Sequence, residues 1–292
     1  MQDQTGTDPL RFKHGVCDCH VHVFDDPDVF PFENAPAYAP PFSPASRLMA
    51  DTAQAGVSHV VLVQPTPYGR NLDLLIATLK RLGTRARGVG VADASIGADG
   101  LAALNGAGIA GLRFVENLLP DGRRMPGTVS LDTLFQTLAP NLLEVGMHAE
   151  IWAPLSVTLE RWSALERARV PVVLDHMGSF DPQLGLDHPH FQRLLALLRD
   201  GAVWVKLAIC RRATGVGYDA IRPFHDAMVE ANSDRLLWAT DFPFVRFAGE
   251  PPTIDQLLAL FEIWVPDSEL RRRILSRNPT ERYGFKADLA GC

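Results

Sequence analysis

Eight short runs rich in β-branched or other apolar residues recur along the 292-residue chain, and an amphipathic, helix-like segment follows each of them. The runs occupy residues 15–24, 58–65, 85–93, 109–116, 146–153, 170–178, 202–209 and 235–243. Alternation of strands with helices predicts parallel strands, because each helix returns the chain to the start of the next strand. Eight such units within a chain of this length predict a (β/α)8 barrel.

An open, doubly wound sheet is the alternative to the barrel. That fold needs a glycine-rich phosphate-binding turn after its first strand, whereas the corresponding segment here reads FDDPDVFPFENAP. We therefore expect an α/β protein built as a distorted TIM barrel. Its single domain is predicted to span residues 15–286, between an N-terminal extension (1–14) and a C-terminal tail (287–292).

Composition and charge narrow the possible partners. The net charge is −6 and no lysine or arginine run stands out, so we expect no nucleic-acid binding. An apolar run of about 18 residues would indicate a membrane span, and the sequence contains none. The polar N-terminus lacks the apolar core of an export signal, which predicts a cytoplasmic location. A homo-oligomer is compatible with the sequence.

The first run contains the segment CDCHVHVF, in which an aspartate and two histidines alternate with apolar residues. Because alternate residues of a strand share a face, Asp18, His20 and His22 are expected to point into the barrel. The residues expected to lie under the helices are Cys17, Cys19, Val21 and Val23. Paired imidazoles are a common grip for a metal ion or a substrate oxygen.

Two later runs end in residues of the same chemical kind. In VVLDHMG, His176 follows Leu174 by two positions, so both are expected to face inward. In LLWATDFP, Asp241 ends the eighth run. The eighth strand of a closed barrel lies beside the first, so we expect Asp241 and His176 to lie close to His20 and His22. These four residues together form the cup.

The motifs D-C-H-V-H, L-D-H-M-G and W-A-T-D-F-P, in this order, resemble those of the amidohydrolase superfamily. The chain is similar over nearly its whole length to the lactonase branch typified by 2-pyrone-4,6-dicarboxylate lactonase. That branch includes sulfomuconolactone and sugar-acid lactone hydrolases. The resemblance implies a barrel hydrolase of aromatic catabolism that opens the ester bond of a small lactone bearing carboxylate or sulfonate groups.

Lactone hydrolysis needs an activated water and a polarised carbonyl group. We expect Asp241 to be the general base and the three histidines to stabilise the developing oxyanion. The histidines either hold one zinc ion together with Asp241 or donate hydrogen bonds directly, without a metal. Members of the branch work without a divalent metal and relatives use zinc, so the cofactor is either absent or a single Zn²⁺. Lys206 is interpreted as structural or as a residue that contacts the site residues from behind, and His148 as a residue of the core or N-terminal rim.

An anionic substrate calls for arginines, whose planar guanidinium matches a carboxylate. Arg113 lies within the fourth run, where an arginine needs a charged partner; Arg211, by contrast, is expected to form a surface ion pair. The resemblance implies further substrate contacts from Arg212, Tyr38, Thr66 and Trp152. A second arginine of the branch has no direct counterpart here, and its candidate replacements are Arg123, Arg124 and Arg246.

Other functions remain open on the same scaffold. A zinc-dependent decarboxylase of an aromatic-catabolism acid would use similar histidines and an aspartate. A sugar-acid lactone isomerase would use the same base to move an acyl group between hydroxyls. A binding protein without chemistry would be expected to lack at least one residue of the cup, and all four are present.

Overall fold

A computed structural model describes residues 15–213 and 215–285. The predicted extension (1–14) and tail (287–292) lie outside these residues, as does residue 286. The strands are β1 Cys17–Val21, β2 His59–Val63, β3 Ala86–Gly90, β4 Ile109–Val115, β5 His148–Trp152, β6 Val172–Leu174, β7 Trp204–Leu207 and β8 Leu236–Trp238. They pair in parallel in chain order. The predicted (β/α)8 barrel is confirmed, and each strand lies within one of the eight predicted runs.

Helices connect the strands and cover the barrel. They are α1 Ala45–Gln54, α2 Asp73–Leu82, α3 Ala98–Gly106, α4 Leu131–Thr133, α5 Ala139–Glu144, α6 Leu155–Glu160, α7 Trp162–Ala168, α8 Pro189–Arg199, α9 Ile209–Ala213, α10 Tyr218–Asn232, α11 Ile254–Trp264, α12 Ser268–Arg272 and α13 Asn278–Tyr283. The π-helical segments Leu134–Leu138 and Arg273–Arg277 join α4 to α5 and α12 to α13. None of the helices in the described ranges is long and apolar enough to cross a membrane.

Helix α8 illustrates how local sequence fixes these elements. Pro189 occupies the first turn, where its missing N–H costs nothing. The helix then buries one apolar face, formed by Phe191, Leu194, Leu195 and Leu198. That spacing is the i, i+3, i+4, i+7 stripe that packs a helix against a sheet.

The barrel interior holds its own apolar cluster, separate from the larger layer between strands and helices. The cluster contains Cys17, Cys19, Val61, Val63, Val89, Val173, Trp204, Leu237, Tyr283 and Phe285. The prediction that Cys17 and Cys19 lie under the helices is therefore wrong. The pairing of β1 with β2 shifts register between Asp18 and Val21. This irregularity breaks the strict alternation of a regular strand, so Cys19 and His20 can both lie inside.

The ring closes where β1 meets the residues that follow β8. The backbone N–H of His22 donates to the carbonyl oxygen of Phe242 (2.7 Å), and that of Asp241 donates to the carbonyl oxygen of His20 (2.8 Å). The Asp18 carboxylate accepts from the N–H of Thr240 (3.0 Å) and from its hydroxyl. The ring is thus closed by backbone hydrogen bonds together with the Asp18 side chain, and this closure places Asp241 beside β1.

Candidate active site

Asp241 lies at the centre of a group of imidazoles at the C-terminal end of the barrel. Its Oδ1 is 3.0 Å from His22 Nε2 and 3.4 Å from His20 Nε2, and its Oδ2 is 3.2 Å from His176 Nε2. All four side chains are buried. The structure thus brings together the four residues that the sequence places in one cup, and their catalytic roles remain predictions.

Unusual backbone conformations aim two of these side chains. His176 (φ 50°) and Asp241 (φ 64°) are both left-handed, a conformation that costs a non-glycine residue about 1–3 kcal/mol and is concentrated at functional sites. The predicted reason for the position of His176 is wrong, because Leu174 packs in the layer facing the helices. Strand β6 ends at Leu174, and the left-handed turn then swings the His176 ring over the barrel.

Hydrogen bonds on the far side of two imidazoles orient them. His22 Nδ1 lies 2.7 Å from the carbonyl oxygen of Val63, and since that oxygen can only accept, Nδ1 carries the proton. In the neutral tautomer that this contact selects, the Nε2 lone pair faces the cup. His20 Nδ1 faces Asp175 Oδ1 at 3.1 Å, and its Nε2 lies 3.3 Å from His22 Nε2.

Burial and neighbouring charges set the ionisation of the cup. Burial raises the pKa of Asp241, but Arg211, His176 and His20 outweigh that effect and hold the pKa well below its ordinary value. Burial lowers the pKa of His176 and lowers that of His20 much further. At neutral pH the cup therefore combines an ionised carboxylate with neutral His20 and His176 rings.

The donor set of the cup fits a single metal ion. His176 Nε2 and Asp241 Oδ1 are buried without a hydrogen-bond partner. Ligand atoms of His20, His176 and Asp241 all lie within 4.8 Å of one another. Zinc bonds of about 2.0–2.1 Å in a tetrahedron place neighbouring ligand atoms roughly 3.4 Å apart, close to the separations seen around Asp241. Nitrogen and carboxylate ligands are also those that zinc prefers.

A cavity of about 330 Å³ opens above the cup. Its lining residues are His22, Tyr38, Pro65, Thr66, Arg113, Met125, Trp152, His176, Arg211, Arg212, Asp241, Val245 and Arg246. This lining includes each of the six residues predicted to contact the substrate. Arg123 and Arg124 are not among these residues, and they pair instead with Asp121 and Glu116. Four arginines against one carboxylate make the cavity a site for an anion.

Neighbouring groups hold the buried Arg113 in place. Its Nε and Nη2 lie 3.0 and 2.9 Å from Asp175 Oδ2, and its guanidinium stacks 4.9 Å from the ring centre of Trp152. Across the cavity the Tyr38 side chain is hydrogen-bonded to that of Thr66, and burial raises the pKa of Tyr38 to about 12. Tyr38 therefore offers a neutral hydroxyl to a ligand.

The expectation that Arg211 forms a surface ion pair is wrong. Its side chain is 15% exposed, and its Nε contacts Asp241 Oδ2 directly. Helix α9 begins two residues after β7, so this short helix sits at the mouth of the barrel. Successive helical residues point about 100° apart; Arg212 accordingly turns to the carbonyl oxygen of Phe180 (3.0 Å) while still lining the cavity.

Three buried residues with ionisable side chains lie beneath the cup, and the sequence analysis assigned no role in the site to two of them, Asp175 and Glu150. Asp175 lies between His20 and Arg113, and Glu150 and Lys206 contact each other below His20. The adjacency of Asp175 to His176 was the only sequence signal for it. His148 lies at the start of β5, where its ring packs against Tyr283, as expected for a residue of the core or N-terminal rim.

A closed barrel of eight parallel strands with an ionised aspartate among imidazoles at its C-terminal end is the arrangement of a (β/α)8 enzyme. Residues 17–285 match the amidohydrolase family, and the chain belongs to that family.

Curated relatives align along almost the whole chain. The 4-sulfomuconolactone hydrolase of Rhizobium radiobacter is 30% identical over 287 residues, covering 94% of this chain and 93% of that protein. The 2-pyrone-4,6-dicarboxylate hydrolase of Comamonas testosteroni is 29% identical over 285 residues, covering 94% and 92%. Among solved structures, a probable 2-pyrone-4,6-dicarboxylic acid hydrolase from Acinetobacter baumannii with citric acid bound superimposes with a TM-score of 0.80. It is 26% identical and covers 93% of this chain and 100% of that one.

Proposed function

We propose that this protein hydrolyses the ester bond of a small lactone that bears carboxylate or sulfonate groups. The observation that carries the proposal is the position of Asp241, ionised among imidazoles on the floor of a cavity lined by four arginines. The two named relatives are hydrolases of a pyrone dicarboxylate and of a sulfomuconolactone, both of them anions.

The cavity suits a compact substrate. A volume of about 330 Å³ lies at the lower end of the range for small-molecule sites, which is roughly 300–1,000 Å³. Arg113 is buried and Arg212 is partly buried, and both line the cavity where they can bind an oxyacid. Arg246 is exposed at the rim. This arrangement holds the anionic end of a lactone away from Asp241 and leaves the ring carbonyl facing the cup.

In the proposed reaction Asp241 accepts a proton from water as that water attacks the lactone carbonyl. His176 lies 3.2 Å from the same carboxylate and helps to orient the water. The oxyanion that develops on the carbonyl oxygen is stabilised at the His20 and His22 side of the cup. The tetrahedral intermediate then collapses, the ring C–O bond breaks, and the alcohol oxygen takes up the proton.

The proposed reaction has two versions, one with a bound metal ion and one without. His20, His22, His176 and Asp241 are the residues that would hold one zinc ion, which when bound would supply Lewis-acid polarisation of the carbonyl oxygen. Without it, a proton on Nε2 of an imidazole would be needed to donate to the oxyanion. Because the His22–Val63 hydrogen bond makes Nε2 of a neutral His22 ring an acceptor, the direct route would then fall to His20 or His176.

A lactone screen with metal analysis of the same sample tests the proposal. Dicarboxylic, sulfonated and sugar-acid lactones would be incubated with the enzyme, and ring opening would be followed by acid release and chromatography. We expect one proton released for each ester bond opened, with turnover by Asp241→Asn lower by about 10²-fold or more. Release of CO₂ by a stoichiometric zinc enzyme would identify a decarboxylase instead. Formation of an isomer without net acid release would identify an isomerase, and either result would reject hydrolysis.

A further inference from the structure

A second cluster of charged groups lies beneath the cup, deeper in the barrel. Lys206 is fully buried, as are Glu150, Asp175 and His20. The Lys206 ammonium contacts the Glu150 carboxylate and lies 3.5 Å from Asp175 Oδ1 and 3.3 Å from His20 Nδ1. Two carboxylate oxygens and the Nδ1 atom of His20 thus surround the same amine.

The three neighbours of the amine have the chemistry of a metal site. The His20, Glu150 and Asp175 ligand atoms lie within 4.8 Å of one another. Two carboxylates and an imidazole suit divalent ions such as Mn²⁺ and Zn²⁺. His20 belongs to both groups, facing Asp241 through Nε2 and this cluster through Nδ1.

Charge balance explains why a cation is needed here. Burial, together with the neighbouring Asp175, raises the pKa of Glu150 to about 8 against the opposing effect of Lys206 and Arg113, so an ionised Glu150 depends on a cation beside it. Arg113 lies against Asp175, which leaves Lys206 as the direct partner of Glu150. A buried carboxylate without a partner is strongly unfavourable.

We propose that the Lys206 ammonium is a built-in cation that takes the place of a metal ion in this cluster and positions His20 through Asp175, whose Oδ1 faces both the amine and His20 Nδ1. Lys206 is a positioning residue, since it touches neither the cavity lining nor Asp241. Removal of its amine vacates the central position and leaves three ligands around it. The same cluster then becomes a site for a divalent cation, next to the cup.

The metal content of Lys206→Ala tests the proposal. Wild type and variant would be equilibrated separately with Zn²⁺ and Mn²⁺, dialysed, and analysed for bound metal per chain. We expect the variant to hold one equivalent more than wild type, whatever number wild type holds. Its thermal unfolding midpoint should also rise with added metal by more than the wild-type midpoint does. These measurements do not use turnover, so they stand apart from the test of lactone hydrolysis.

Two double variants locate the additional ion. Lys206→Ala/Glu150→Gln removes a ligand and the surplus negative charge, and should return to the wild-type metal content. Lys206→Ala/Asp241→Asn removes a ligand of the cup and should keep the additional equivalent. If Lys206→Ala folds only in the presence of metal, that rescue also supports the proposal. Failure to gain either metal or metal-dependent stability, whether the variant folds or not, would overturn it.

Discussion

The Asp18 carboxylate accepts hydrogen bonds from both the backbone N–H and the hydroxyl of Thr240, the residue immediately before Asp241. It also accepts from the N–H of His20 at 3.2 Å. The buried Asp18 side chain therefore connects β1, which carries His20, to the residues that follow β8, which include Asp241.

Replacement of Asp18 by alanine should weaken this connection between β1 and the residues after β8. Asp18→Ala leaves buried N–H donors without an acceptor, and we expect the free energy of unfolding to fall by about 2–4 kcal/mol, as measured by urea denaturation. Thr240→Ser keeps both donors and serves as the control, with an expected loss below about 1 kcal/mol. If Thr240→Ser lowers the free energy of unfolding as much as Asp18→Ala does, the Asp18–Thr240 hydrogen bonds are not what stabilises the closure.

Replacement of Asp241 by asparagine should remove the general base. We expect kcat to fall by about 10²-fold or more, while circular dichroism shows a retained fold. Asp132→Asn is the matched control, because its carboxylate forms an exposed ion pair with Arg161 and neither residue lines the cavity. Unchanged turnover in Asp241→Asn would remove this residue from the mechanism.

The acid limb of the pH–rate profile should depend on Arg211. This arginine helps to hold the pKa of Asp241 well below its ordinary value, and the ionised base is present only above that pKa. In Arg211→Met the pKa should rise, so the decline of kcat/KM on acidification should begin roughly one to three pH units higher.

Arg212→Met provides the control for that profile. Its guanidinium turns to the carbonyl oxygen of Phe180 and is not among the groups that shift Asp241. Its acid limb should stay at the wild-type position even if its KM rises. An unmoved acid limb in Arg211→Met would show that Arg211 does not set the ionisation of the base.

Arg113 should contribute mainly to substrate binding. A charge-assisted hydrogen bond contributes about 1.5–3 kcal/mol, so Arg113→Met should raise KM by roughly 10- to 100-fold with a smaller change in kcat. Arg113→Lys keeps a cation for Asp175 but loses the guanidinium fork, and should also raise KM. Arg123→Met, at a side chain that is 78% exposed, should leave KM unchanged. A normal KM in both Arg113 variants would contradict a role of Arg113 in binding the anionic substrate.

The fold could be predicted because its signal repeats. Each of the eight runs carries the β-branched composition of a strand, and each intervening segment carries a helical stripe. Only the strand ends differ: the sixth run extends to residue 178, but β6 stops at Leu174. The left-handed turn that follows is set by tertiary packing, which a local pattern does not encode.

The site could be predicted only in part, for two physical reasons. Strict alternation assigned Cys19 to the outside, and the irregular register of β1 overrides it. Contacts between segments distant in sequence were also invisible: Arg211, after β7, reaches Asp241, after β8, and Arg113, on β4, reaches Asp175, after β6. Cytoplasmic location, oligomeric state, the absence of nucleic-acid binding and the domain boundaries remain predictions.

The backbone bond between the Asp241 N–H and the His20 carbonyl oxygen has a consequence for the order of folding. Asp241 and two of its imidazoles, His20 and His22, come from opposite ends of the barrel sequence, so no partial barrel that lacks the final strand can contain the cup. Recovery of turnover during refolding is therefore a reporter of ring completion. Protection of the Asp241 amide against deuterium should appear in the same kinetic phase.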